Sequence, residues 1–190
     1  RGMRLMFGDL VVSSDDAGQL VRRLGPLAND ASYRRKHRLA GLRKVLQEHT
    51  YQHRLSYIIQ KTFGRALDAG EPSVTVLAMA GSDRELGDIL AAYSRQRWSR
   101  KQLVVCFAKG YAPAESPVDV GIRVLSSAQA ASRSALQIAA GGYIAAFHPD
   151  DYYGPNYLTD LALAVSYSRG SAVGKAAHFA ATPSGPISRS

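Results

Sequence analysis

The chain has 190 residues, of which 46% are hydrophobic and 21% charged, and its formal net charge is +9. That length predicts one domain, or one domain with part of a second. No apolar run approaches the ~20 residues of a membrane-spanning helix, and the single cysteine, Cys106, excludes an internal disulfide.

The charge is unevenly placed. Residues 1–70 carry 13 Lys/Arg against 6 Asp/Glu, whereas residues 71–190 carry 11 against 9. Much of the excess is one run, YRRKHR (33–38). It reads as a solvated helix face; a grip on phosphate backbone or an anionic membrane surface is the alternative. Nucleic acid is not an expected partner. Cys106, inside QLVVCFA, reads as a small core residue, and a lone thiol fits a reducing cytoplasm. The opening RGMRLMFGDL has no Met at its start and lacks the apolar core of a secretory leader, so the chain reads as a fragment or a processed piece.

In chain order, RLMFGDLVVSS predicts a short strand or two. SSDDAGQLVRRL predicts a helix capped by Ser14 or Asp15, interrupted at Pro26. From Asp30 to Phe63 the pattern is helical, with Leu39, Leu42, Val45 and Leu46 on one stripe and a restart capped by Thr50. Gly70 and Pro72 mark a linker over 66–72. After it the texture changes. SVTVLAMA (73–80) predicts a buried strand. Residues 82–98 predict an amphipathic helix with Ser82 as cap and Glu85 at the capping-box spacing. KQLVVCFA and IRVLSS predict strands, SAQAASRSALQIAAG one Ala-rich helix, GYIAAF a strand, and PNYLTDLALAVSYSR a helix with Pro155 near its first turn. SAVGKAAHFA predicts a last strand, and 183–190 a disordered tail. Strands alternating with helices predict an α/β fold with a mostly parallel sheet, whose ligands sit at the carboxyl ends of the strands.

One segment stands at such an end. GGYIAAFHPDDYYGPNYL (141–158) runs a strand into two adjacent carboxylates, Asp150 and Asp151. Neighbouring carboxylates repel unless a cation compensates. A divalent ion carrying a diphosphate is one such cation, because Mg²⁺ and Mn²⁺ take oxygen ligands and commonly combine one or two carboxylates with phosphates. The alternative is that the pair only caps the following turn and helix. Tyr152, Tyr153 and Tyr157 read either as a stacking surface for a sugar or base or as packing around the helix start. Trp98 reads as core and Lys109 as a loop lysine. His49 and His53 read as polar residues packed between helices. No zinc spacing, P-loop or nucleophile elbow occurs.

GGYIAAFHPDDYYGPNYLTDL followed by AVGKAAHF resembles family-two glycosyltransferases of the GT-A fold. PSVTVLAMAGSDRELGDILAAYSRQRW is similar to their first strand and helix, and KQLVVCF to their second strand. The resemblance covers roughly residues 72–180. It implies a partial Rossmann-like GT-A domain over 73–182 that binds a nucleotide-sugar donor, of UDP type, for transfer to a glycan or other hydroxyl acceptor in cell-envelope or polysaccharide synthesis. It places donor contacts at Ser82, Asp83, His148, Asp150 and Asp151, and the metal, Mg²⁺ or Mn²⁺, at Asp150 and Asp151. His148 stands where the family has its first acid, with Pro149 beside it. VVCFAKG lacks the family's base-reading acid, and Arg133 lies near a position that is commonly Asn. The family's catalytic base lies beyond the AVGKAAHF strand, so no catalytic residue is assigned. GDLVVSSDDAGQLVRRL and GLRKVLQEHTYQHRLSYII resemble the C-terminal edge of a GT-B, spore-protein-like glycosyltransferase domain, which implies that residues 1–65 are a helical remnant of an upstream domain. A degenerate, non-catalytic module that binds a nucleotide or packs against a partner domain is the second expectation. No membrane span is expected, and the cytoplasm is the expected location.

Overall fold

A computed structural model describes residues 2–65, 67, 70–115, 117, 119–168, 170–176, 178–180, 182–183, 185 and 187–189. The chain divides into two compact units, Arg1–Ala69 and Gly70–Ser190. Part of the linker expected at 66–72 and part of the tail expected at 183–190 lie outside the described residues.

The first unit is helical: α1 (Gly2–Phe7), a 3-10 turn (Gly8–Leu10), α2 (Ala17–Asn29), α3 (Ala31–Glu48) and α4 (Tyr51–Phe63). The strand expected at its start is therefore a helix. Met3, Met6 and Phe7 have the i, i+3, i+4 spacing of a helical stripe, and Arg, Leu and Met favour the helix. Gly8, at φ +56°, turns the chain out of it. The cap of α2 is Asp16, which accepts from the Gly18 and Gln19 amides, not Ser14 or Asp15. Ser14 instead accepts from the Asp16 amide, ordering the turn ahead of the cap. Pro26 lies inside α2 rather than ending it. Gly25 precedes it, and the missing Cβ removes one steric conflict with the proline ring. Thr50 caps α4 through the His53 amide, and its hydroxyl lies 2.6 Å from His53 Nδ1. His49 packs on Phe7, with ring centroids 4.7 Å apart. Among the described residues of this unit none is fully buried, and the stripe residues Leu42 and Val45 remain partly exposed.

The second unit carries β1 (Val74–Ala80), α5 (Asp83–Ser94), β2 (Lys101–Phe107), β3 (Ile122–Leu125), α6 (Ser127–Ala131), α7 (Ala135–Ile138), β4 (Tyr143–Phe147), α8 (Tyr157–Tyr167), β5 (His178–Ala180) and β6 (Ile187–Arg189). Strands β1 to β4 form one parallel sheet in the order β3-β2-β1-β4. This is the α/β arrangement with a parallel sheet that the alternation predicts, and it is consistent with a Rossmann-like fold. β1 has neighbours on both sides, and its Val76 and Ala80 are wholly buried, as are Leu103, Val104 and Val105 of β2. Each buried Val or Leu contributes about 1.5–3 kcal/mol, so these two strands are the centre of the core. Leu86, Ile89, Ala92 and Tyr93 form the buried face of α5, and Leu158, Thr159 and Ala162 that of α8. Trp98 is buried as expected, and its indole N–H donates to the Pro72 carbonyl at 3.0 Å.

Four expectations change here. The single Ala-rich helix is two short ones, because Ser126 with Gln129 and Ser134 with Gln137 each build a complete capping box, so the second serine restarts the helix. The last strand does not extend the parallel sheet. His178–Ala180 pairs antiparallel with Ile187–Arg189 across a turn closed between Thr182 and Gly185, whose φ is +110°. The polar end, expected to be without structure, thus contributes a strand. The helix expected over 82–98 ends at Ser94.

Gly141 marks a close approach. A Cβ there would stand 2.9 Å from the Thr75 amide nitrogen and 3.0 Å from the Ser73 carbonyl oxygen, so backbone would have to move. Its amide donates to Thr75 Oγ1 at 2.9 Å. Gly142 has only the Ser73 hydroxyl near, at 3.9 Å. Urea unfolding should show Gly141→Ala destabilised by about 1–3 kcal/mol and Gly142→Ala changed by less than about 1 kcal/mol. Equal effects from both would contradict the close packing of β4's entry against β1.

Candidate functional site

The strand order sets the segment after β1 beside the segment after β4, and the gap that Arg84 and Asp150 bridge there is taken as the crevice of an open parallel sheet. The chain leaves β1 towards β2 and β3 on one side, then returns through α6 and α7 to place β4 on the other side of β1. The connections diverge between β1 and β4, and open parallel sheets bind ligands outside the carboxyl ends of strands at such a switch point. Ala78 of β1 is in register with Phe147 of β4. The segments just beyond, Ser82–Arg84 and His148–Asp151, are the ones the sequence singles out, with Arg84 added.

On the β1 side, Ser82 caps α5 by accepting from the Glu85 amide at 3.3 Å. Glu85 does not close the capping box on Ser82; its carboxylate accepts from the Gly81 amide at 2.7 Å. Asp83 accepts from the Tyr111 hydroxyl at 2.7 Å, and the Tyr111 ring meets Phe107 edge-on at 5.3 Å. The Tyr111 phenol is pushed up to about 12, first by desolvation and then by the hydrogen bond to Asp83 and the charges of Asp83 and Glu85. It stays a donor at neutral pH.

On the β4 side, a compact turn presents the acids. The Asp151 amide donates to the His148 carbonyl at 3.2 Å, and the Asp150 amide to His148 Nδ1 at 3.3 Å. Tyr153 ties the turn together: its hydroxyl accepts from the His148 amide at 2.9 Å and donates to Asp151 Oδ2 at 3.2 Å. Its ring stacks flat on Phe147, with centroids 4.0 Å apart, and meets Tyr157 edge-on at 5.0 Å. Burial raises the Tyr153 phenol pKa and Asp151 adds to the rise, while the His148 amide acts against it. Tyr153 and Tyr157 are thus packing residues around the acid turn. Tyr152 is exposed, with the Arg95 guanidinium 4.6 Å from its ring centroid.

Two residues that the sequence reading does not single out organise the site. Gln96, 3% exposed, donates to the Ala92, Tyr153 and Gly154 carbonyls and accepts from the Leu158 amide at 3.1 Å. It fastens the acid turn and the start of α8 to the end of α5. Arg84 donates to Asp150 Oδ1 at 3.3 Å and lies 3.5 Å from Asp88 Oδ2. Its guanidinium spans the crevice, joining residues 66 positions apart in the chain. No local pattern reveals either role, because each depends on a partner brought in by β4.

Among the described residues no three His, Cys, Asp or Glu side chains form a group that could hold a metal. Asp150 and Asp151 supply oxygen ligands of the type Mg²⁺ and Mn²⁺ prefer, and the Arg84 guanidinium shows that Asp150 takes a cation from the crevice side. Two carboxylates fit such an ion when phosphate oxygens complete its shell. His148 fits less well, since Nδ1 already accepts from the Asp150 amide.

Gln96→Met keeps length and volume but loses every one of these hydrogen bonds. Chemical unfolding should show a loss of about 2–4 kcal/mol, because buried carbonyls and an amide are left without partners. A loss below about 0.5 kcal/mol would contradict the fastening role. Set against models of known protein families, against curated proteins and against solved structures, the chain matches none.

Proposed function

We propose that residues 73–182 are a nucleotide-sugar-binding domain of the GT-A type, serving transfer of a sugar from a nucleoside-diphosphate donor to a hydroxyl acceptor in cell-envelope or polysaccharide glycan synthesis. One observation carries the reading: the adjacent carboxylates Asp150 and Asp151 stand at the carboxyl end of β4, beside β1, where the strand order opens a crevice. Asp150 and Asp151 would hold Mg²⁺ or Mn²⁺ and, through it, the donor diphosphate. That ion, when bound, supplies positive charge for a diphosphate leaving group. Ser82 and Asp83 would line the nucleotide end of the crevice, and Tyr111 holds Asp83 in place. The group that deprotonates the acceptor is unassigned. The reading puts this unit in the cytoplasm, where nucleotide sugars are made. Among the described residues no helix is long and apolar enough to cross a membrane.

A second reading, a nucleotide-binding or domain-packing module without catalysis, is favoured by a specific observation. Arg84 already balances Asp150, and His148 uses Nδ1 inside the turn.

Calorimetry with UDP and a UDP-sugar, with and without Mn²⁺, separates the two. The glycosyltransferase reading predicts metal-dependent binding that weakens at least about tenfold in Asp150→Asn, a loss of about 1.4 kcal/mol or more. Binding that ignores both Mn²⁺ and the substitution would favour the second reading. Absence of binding to UDP and to a panel of other nucleotides would overturn the donor site.

A further inference from the structure

Arg84 lies at the second position of α5, and its side chain is 71% exposed. It is held from both sides. Asp88, one turn further along the same helix, stands 3.5 Å from Nη1, and Asp150, from the far wall of the crevice, stands 3.3 Å from Nη2. The first contact anchors the arm to its own helix. The second crosses to the acid turn.

We propose that Arg84 is a two-position cation: it neutralises Asp150 while the crevice lacks donor, and it turns to the donor diphosphate when a divalent ion takes Asp150. The inference rests on the donor-site reading above and adds its charge logic. A guanidinium and a dication on the same carboxylate repel each other, which disfavours holding both on Asp150. An ion pair this exposed is weak, so the exchange is easily made. Arg84 need not leave the site, because Asp88, four residues on along the same helix, offers it a second carboxylate. There it stands beside Asp150, to which a bound ion would bring the diphosphate. A planar fork of N–H donors matches phosphate oxygens two at a time. Released from Asp150, it becomes a phosphate contact. Arg84 therefore opposes metal binding alone and favours binding of metal with diphosphate.

The opposite signs of these two effects form the test. Mn²⁺ binding, followed by the electron paramagnetic resonance signal of free Mn²⁺, is measured on the full chain and on Arg84→Gln, Arg84→Lys and Asp150→Asn. UDP binding in saturating Mn²⁺ is measured on the same proteins, after circular dichroism has shown each one folded. Arg84→Gln should bind Mn²⁺ alone about 2–5-fold more tightly, because a competing cation is gone. It should bind UDP with Mn²⁺ about 10–100-fold more weakly, because a charge-assisted pair of hydrogen bonds is gone. Arg84→Lys, which keeps the charge without the fork, should fall between for UDP. If Asp150→Asn loses Mn²⁺ and Arg84→Gln matches the unaltered chain in both measurements, the two-position role is wrong while the donor site stands. If Asp150→Asn changes neither Mn²⁺ nor UDP binding, the donor site is wrong and the role of Arg84 falls with it. Arg84→Gln weakened for Mn²⁺ and UDP alike would also overturn the proposal, since Arg84 would then be a support for the acid turn.

Discussion

Five residue pairs, from Val74 with Tyr143 to Ala78 with Phe147, hold β4 in parallel register against β1. Sequence separation makes this the costly step, because β2, β3 and two short helices must be laid down before β4 can return to its neighbour. The return works only because backbones come close at its start. Gly141 sits against the Thr75 amide without room for a Cβ, and its own amide bonds the Thr75 hydroxyl. Move that pairing by one residue and each side chain of β4 changes face. The acid turn would then point away from α5, and neither Arg84 nor Gln96 would reach its partners.

Two like charges on successive residues are an unfavourable thing to hold in one place, and the fold holds them from below. Phe147, the last residue of β4, supplies a flat stack for Tyr153, and the Tyr153 hydroxyl bridges the His148 amide and the Asp151 carboxylate. Gln96 secures the carbonyls of Tyr153 and Gly154 from the other side. The aromatic cluster and the buried amide are therefore what make an exposed pair of carboxylates stay put. Preorganisation of this kind matters for a ligand that must find its charges already placed. On the solvent side of the turn the Arg84 guanidinium enters the balance through Asp150.

The sequence made the second unit legible to a large degree. The buried strands β1 and β2 read directly as apolar runs, and Ser82 reads directly as a cap, as Thr50 does in the first unit, because both signals are local. The interrupted Ala-rich segment was less legible. Alanine favours a helix at each position, yet Ser134 with Gln137 offers a better local arrangement, a capping box, and the helix breaks there. The first segment misled in the other direction, since RLMF looks like a strand by composition and is helical by spacing. At the site, the acids were legible and their counter-charge was not. Arg84 sits in an ordinary helix start, and its partner lies 66 residues away. Gln96 was hidden for the same reason, as one polar residue at a helix end whose partners are carbonyls of a loop not yet placed. The tyrosines were legible only as a group. Packing then sorts them, with Tyr153 and Tyr157 inside and Tyr152 in solvent.

The central claim is that the ends of β1 and β4 form a single site for a metal-bound diphosphate. The measurement that tests it most directly is paramagnetic relaxation by Mn²⁺ in amide NMR spectra, recorded with excess UDP. The account predicts selective broadening of two segments far apart in sequence, 81–85 and 148–153. Broadening confined to other surface carboxylates, or absent from 81–85 while 148–153 responds, would contradict a shared crevice.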